Sequence, residues 1–174
     1  REHGLTVDNV ASVTGNRPED GARIVNGRSM PDVNIQHMVA LALIDGSVTF
    51  ESTHAYERMS DPELLAVKER VSLVPSAALM DRDAPRSAKV EVVLNDGRAV
   101  EHFTPQSYGT RQNPMDTENV NKKARDLLEP VLGSTRTEEI IRRVNELEKV
   151  ADVNELMPSL ALTPEEMASV RYGH

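Results

Sequence analysis

Three hydrogen-bonding side chains precede an apolar run in one segment of the sequence. Residues 30–46 read MPDVNIQHMVALALIDG, and the three polar residues are Asn34, Gln36 and His37. Because an α-helix repeats about every 3.6 residues, it places Asn34, His37 and Leu41 on one face, so that a carboxamide and an imidazole point the same way. Gln36 falls on another face. The spacing predicts that Asn34 and His37 form one wall of a site.

The position of this pair near the amino end of the predicted helix favours an anion. Free backbone N–H groups and the helix dipole stabilise negative charge there, so a substrate carboxylate beside His37 is electrostatically reasonable. The same dipole disfavours protonation, which predicts that His37 acts as a neutral donor or acceptor. An alternative stays open, in which His37 is a half-buried histidine bonded to a backbone carbonyl, and the residue types alone favour it.

The helix that must position these side chains is predicted over residues 32–45. Asp32 follows Pro31 and is the expected amino-terminal cap, and Gly46 is the expected left-handed residue at the other end. Apolar residues cover nearly the whole circumference of this helix. A helix of that kind belongs in a protein interior.

The remaining elements up to residue 112 predict a sheet packed with helices. A strand is expected over residues 5–14, ending at the turn GNRPEDG. Residues 60–74 predict an amphipathic helix with a Ser60–Glu63 capping box and apolar residues at Leu64, Val67 and Val71. Residues 87–103, SAKVEVVLNDGRAVEHF, predict a β-hairpin, so the sheet has at least two antiparallel strands.

After residue 112 the sequence predicts helices only. The first is expected to end before Pro130, the second to begin with a Thr135–Glu138 capping box, and the last to begin at Thr163 with Glu166 reaching back. The predicted fold class is therefore α+β, with a small antiparallel sheet packed with helices and a helical carboxy-terminal segment. The predicted units are residues 1–112 and residues 113–174.

Composition narrows the classes of protein. With 174 residues and 39% hydrophobic content, one or two compact units are expected. A net charge of -8 argues against a nucleic-acid or anionic-membrane partner. The absence of cysteine excludes disulfides and thiolate chemistry, which fits a cytoplasmic protein. Because the sequence begins at Arg1 rather than Met, it is expected to be a piece of something longer.

The familiar catalytic motifs are missing. The sequence contains no Gly-rich phosphate loop, HExxH, GxSxG or acidic calcium loop. No two of its five histidines have the spacing of metal ligands on one element, so no metal site is predicted. These histidines are His3, His37, His54, His102 and His174.

Three stretches, in this order along the chain, resemble the carboxy-terminal part of the MmgE/PrpD family. They are MPDVNIQHMVALALIDGSVTFES, VEVVLNDGRAVEH and TRQNPMDTENVNKKARDLLEPVLG. The apolar helix that ends in LIDG is the most specific of the three. The resemblance covers roughly residues 5–155.

The resemblance implies an enzyme that works without a metal or another cofactor. Family members include 2-methylcitrate dehydratase, an enzyme of propionate metabolism, together with cis-aconitate decarboxylase and an iminodisuccinate epimerase. They act on small polycarboxylates by removing a proton next to a carboxylate. Such proteins are typically homodimers of a large helical domain and a smaller α+β lid. This chain resembles the lid and the helices after it, and is expected to be inactive without the large domain.

The resemblance also suggests site residues. The family often has a pocket-lining tyrosine where this sequence has His37, and both side chains can donate a hydrogen bond or relay a proton. His37 is therefore the candidate catalytic residue, with Asn34 beside it. Arg28 and Arg111 lie in predicted loops where a guanidinium could pair with a substrate carboxylate. For each arginine the alternative is a solvated surface side chain.

Two other functions stay open. The first is an acidic, non-catalytic binding or scaffold domain whose helices over residues 120–170 dock on a partner. The second is a regulatory domain that binds a small molecule.

Overall fold

The structure of the protein is a computed structural model. It describes residues 8, 10–17, 28–79 and 87–169. The chain divides into two compact units, Arg1–Pro114 and Met115–His174. The first unit contains a sheet and helices, and the second is helical in its described part. The predicted α+β class with a helical carboxy-terminal segment is confirmed.

The sheet of the first unit has four strands in the order β2-β1-β3-β4. Their bounds are β1 Val10–Arg17, β2 Val71–Pro75, β3 Ala88–Leu94 and β4 Ala99–Thr104. Strands β3 and β4 form the predicted antiparallel hairpin, and β1 is antiparallel to β3. The sheet is nevertheless mixed, because β1 and β2 run parallel. Parallel neighbours need a long crossover connection, and the helices between β1 and β2 lie within it.

Strand β1 extends beyond its predicted end. Gly15 was expected to open a turn, but Gly15, Asn16 and Arg17 continue the strand and pair with β2. Pairing on both sides outweighs the turn preference of these residues, because β1 is an interior strand of the sheet. The start of the predicted strand, apart from Asp8, and the end of the predicted turn lie outside the described residues.

One face of the sheet carries a compact apolar cluster. Its buried members come from β1, β2 and β3, and they are Val10, Val13, Val71, Val92 and Leu94. A shift in register between Val10 and Ser12 lets both Val10 and Val13 face the core despite their odd spacing.

The helix that carries the polar residues is α1, Ile35–Asp45, preceded by a 3-10 turn over Pro31–Val33. Asp32 does not cap it. Asn34 has an extended backbone, and its side-chain oxygen accepts a hydrogen bond from the His37 N–H at 3.1 Å. A carboxamide at this position satisfies one of the free donors of the first turn. Gly46 ends the helix with a left-handed φ of 71°, as predicted.

Two further helices follow before β2. They are α2, Phe50–His54, and α3, Pro62–Lys68. The predicted Ser60 cap is wrong, because Pro62 holds the preceding residue Asp61 in an extended conformation and the Asp61 carboxylate accepts from the Glu63 N–H at 2.9 Å. The predicted helix over residues 60–74 is also too long, since α3 ends at Lys68 and Val71 begins β2.

Helix α1 packs between the sheet and α3. Val39 and Leu43 lie against the sheet cluster, whereas Ala40 and Leu41 pack with α3. Their partners on α3 are Leu64 and Val67, which are buried. The segment that carries Asn34 and His37 is thereby fixed in the interior of the first unit.

The second unit contains α4, Thr117–Leu132, α5, Ser134–Asn145, α6, Met157–Leu160, and α7, Pro164–Ser169. Pro130 lies inside α4 and does not end it. The residue that caps the amino end of α5 is Gly133, and no side chain, Thr135 included, forms a capping hydrogen bond there. Both of those predicted boundaries are wrong. The predicted cap at Thr163 is confirmed, since its N–H donates to the Glu166 carboxylate at 2.7 Å and its hydroxyl accepts from the Glu166 N–H.

Two adjacent leucines of α3 test the packing on α1. Leu64 is fully buried and Leu65 is 39% exposed. We expect Leu64→Ala to lower the free energy of unfolding by about 2–5 kcal/mol, because it removes buried methyl groups and leaves a cavity. Leu65→Ala should cost less than about 1 kcal/mol. Chemical denaturation followed by circular dichroism measures both values, and equal losses would contradict the packing described.

Candidate functional site

His37 is the most unusual polar residue of the first unit. It lies in the first turn of α1, and its side chain is fully buried. Among the described residues, neither Nδ1 nor Nε2 has a hydrogen-bond partner. Buried polar side-chain atoms in native proteins are normally paired, and an unpaired one costs about 1–3 kcal/mol. The alternative of a histidine bonded to a backbone carbonyl is therefore not what the described residues form.

The surroundings of His37 disfavour its protonated form. Burial is the largest cause of its lowered pKa, and the positive charges of Lys68 and Arg58 lower the pKa further. The imidazole is consequently neutral at pH 7, with one ring nitrogen that donates and one that accepts. The neutral state was expected from the helix dipole, whereas the structure attributes it to burial and to two cations.

Asn34 is fully buried, and its carboxamide bonds to the backbone at both ends. The oxygen accepts from the His37 N–H, and the Nδ2 group donates to the Arg28 carbonyl at 3.0 Å. Asn34 therefore joins the segment before the helix to the first turn that carries His37. These bonds fix the backbone of His37, and contact between Asn34 and a substrate stays a prediction.

The two predicted arginines lie in different places. Arg28 is half-buried, and its backbone carbonyl is held by Asn34, so this residue belongs to the His37 region. Arg111 is exposed, in a turn closed by a bridge between Thr110 and Asn113. No hydrogen bond among the described residues joins Arg111 to the side chains of Asn34 or His37. The binding roles of both arginines stay predictions.

Sequence patterns alone did not point to Lys68 or Arg58. Arg58 lies in the 3-10 segment Tyr56–Ser60, and its guanidinium binds both carboxylate oxygens of Asp45, at 2.5 and 3.1 Å. Lys68 is the last residue of α3 and is half-buried. One signal was available for it, because Lys68 follows Leu64 by four residues and so shares the face of α3 that packs on α1.

Gln36, on another face of α1, is also buried. Its side chain is 9% exposed, so α1 buries two neighbouring polar residues and not only the face that carries His37.

Among the described residues, no three His, Cys, Asp or Glu side chains come together as metal ligands would. None of the helices in the described parts of the chain is both long and apolar enough to cross a membrane.

The first unit is thus an α+β domain that buries a neutral imidazole near two cationic side chains. The family model for the MmgE/PrpD C-terminal domain matches residues 1–149. The chain belongs to the MmgE/PrpD family, whose members are in general enzymes. The resemblance seen in the sequence is therefore confirmed. No curated protein matched the chain.

The lowered pKa of His37 predicts a pH-dependent stability. The ordinary pKa of histidine is 6.5. Near and below that pH, the imidazole of residue 37 is therefore protonated more readily in the unfolded chain than in the folded protein. The free energy of unfolding should therefore fall as the pH drops from about 7 towards 5, by at most about 1.4 kcal/mol per pH unit from this residue. Denaturant titrations at several pH values measure the slope.

Two variants isolate the contribution of His37. His37→Gln removes the titrating ring and should flatten the acidic loss of stability relative to the wild type. His102→Gln is the matched control, because His102 is exposed on β4, and it should keep the wild-type slope. The same slope in His37→Gln and in the wild type would contradict the assignment.

Proposed function

We propose that this chain is the carboxy-terminal part of a lyase or isomerase that acts on small di- or tricarboxylates. The reaction begins with removal of a proton next to a carboxylate and continues as dehydration, decarboxylation or epimerisation. In this proposal the enzyme resembles 2-methylcitrate dehydratase, needs no metal or other cofactor, and works in the cytoplasm as a homodimer. A large helical domain of the same protein completes the pocket, and the chain without it is inactive.

One observation supports a role for His37 in this reaction. His37 is a fully buried imidazole whose two ring nitrogens have no hydrogen-bond partner among the described residues. A polar group of that kind is destabilising unless something else binds it, and strained or costly polar groups concentrate at functional sites. Membership of an enzyme family adds a reason for the residue to be there.

The chemistry of a neutral imidazole suits this reaction class. One nitrogen has a lone pair that can accept a proton from carbon, and the other can donate a hydrogen bond to a carboxylate. In a dehydration, the electron pair left on carbon forms the new double bond, and the imidazolium returns the proton to the neighbouring hydroxyl, which leaves as water. A lowered pKa keeps the imidazole in the form that accepts a proton at neutral pH.

Complete burial of His37 adds one condition. A substrate reaches the ring only if part of its cover moves, and closure over a substrate is common in enzymes because it excludes water from the reaction. Asn34 meanwhile keeps the helix turn that carries His37 in place, through its bond to the His37 N–H. The site thus combines a fixed first turn with a covered ring.

The test uses the enzyme expressed from its complete gene. We expect His37→Ala to lower turnover of small di- and tricarboxylates by about 10²–10⁴-fold, the usual contribution of a general acid or base. His37→Tyr should keep more activity than His37→Ala, because a phenol can also donate a hydrogen bond and relay a proton. Steady-state assays of dehydration, decarboxylation and epimerisation distinguish the three reactions.

His102→Ala is the control, since this exposed histidine of β4 should tolerate substitution without loss of activity. Circular dichroism checks that each variant is folded. Wild-type turnover by His37→Ala would remove His37 from the reaction, and absence of turnover by the wild-type enzyme on all such acids would contradict the reaction class.

The alternative function, a non-catalytic scaffold that docks on a partner, has one observation in its favour. The second unit exposes several large apolar side chains, by 54% at Val144, 61% at Val153 and 59% at Met157. Large apolar side chains that a protein leaves exposed are candidates for contact with a partner. The complete gene separates the two functions, because a helical region encoded before Arg1 supports the enzyme and its absence supports the scaffold.

A further inference from the structure

The packing of α1 on α3 extends beyond its apolar centre. Leu41 of α1 and Leu64 of α3 belong to one buried cluster. His37 precedes Leu41 by four residues and Lys68 follows Leu64 by four residues, so each lies one helical turn away on the face that forms the contact. The electrostatic effect of Lys68 on His37 agrees with this placement.

The two cations near His37 differ in their partners. The other cation near His37, Arg58, is bound through two hydrogen bonds to Asp45. Lys68 forms no ion pair with any described residue. Its side chain is half-buried, whereas His37 is fully covered, so an incoming acid can meet the ammonium group before it meets the imidazole.

We propose that Lys68 is a substrate-binding residue of the His37 site, and that its ammonium group pairs with a carboxylate of the acid. The inference rests on the proposed function and deepens it by naming the residue that recognises a negative charge. An ammonium group is a compact point charge with three donors, which suits a carboxylate presented from several directions. The imidazole then bonds to the part of the acid that lies deeper.

This arrangement has an electrostatic consequence for the free enzyme. Lys68 disfavours the protonated form of His37, so the unliganded site keeps the imidazole neutral and ready to accept a proton. Removing the ammonium charge should raise the pKa of His37. The lower limb of the pH profile of kcat/KM, which reports the ionisation of the free enzyme, would then move to higher pH.

The experiment compares Lys68→Met with the wild type in the enzyme expressed from its complete gene. Methionine keeps much of the length of the side chain and removes the charge. We expect KM for the acid to rise at least about tenfold, because a charge-assisted hydrogen bond to the carboxylate is lost. The change in kcat should be smaller than the change in KM. The acidic limb of the pH profile of kcat/KM should move to higher pH. Lys68→Arg should recover most of the affinity.

The control is Lys122→Met, which removes an exposed lysine from α4 in the second unit and should leave KM unchanged. A KM for Lys68→Met within about twofold of the wild type overturns the assignment of Lys68, since the loss of a charge-assisted hydrogen bond to the carboxylate should cost about 1.5–3 kcal/mol. In that case, turnover that still depends on His37 leaves the proposed function intact. A wild-type enzyme that turns over no di- or tricarboxylate refutes the proposed function, and the role of Lys68 with it.

Discussion

The position of α1 between the sheet and α3 is the constraint on which the first unit depends. One side of this helix packs on the sheet through Val39 and Leu43, and another packs on α3 through Ala40 and Leu41. Burying a side chain such as Leu41 contributes about 1.5–3 kcal/mol. The first turn of α1 is buried together with these residues, so His37 lies in the interior although its unpaired ring nitrogens oppose burial.

The same constraint explains which parts of the site the sequence could predict. Helical spacing predicted that His37 belongs to an apolar helix, and the left-handed Gly46 fixed its end. The predicted cap, Asp32, was wrong. Asp32 and Asn34 are both good capping residues, and Asn34 caps the helix because the 3-10 turn over Pro31–Val33 delays the start of the helix. Lys68 was missed because its relation to His37 depends on two helices packing together, which spacing within one helix does not reveal.

Errors in the second unit have a similar origin. The expected break at Pro130 did not occur, and the four residues of α6 were not predicted at all. This region is held by Arg136, whose guanidinium donates to the carbonyls of Ser159, Pro158 and Ala161 and to the Glu166 carboxylate. One arginine thereby binds backbone more than 20 positions away, and contacts of that range leave no periodic pattern in the sequence.

The parallel pairing of β1 and β2 also bears on how the first unit reaches its native state. The β3–β4 hairpin joins neighbouring segments through a short loop, so it can form early. By contrast, Arg70 at the start of β2 donates to the Val10 carbonyl across 60 positions of the chain. Closing so long a loop has a large entropic cost before any contact compensates for it. The pairing of β1 with β3 spans still more of the chain, since Val10 lies opposite Leu94. We therefore expect β1 to join the sheet last, after the β3–β4 hairpin has formed and after α1 and α3 have packed together, so that the turn that carries His37 would be ordered before the sheet is complete.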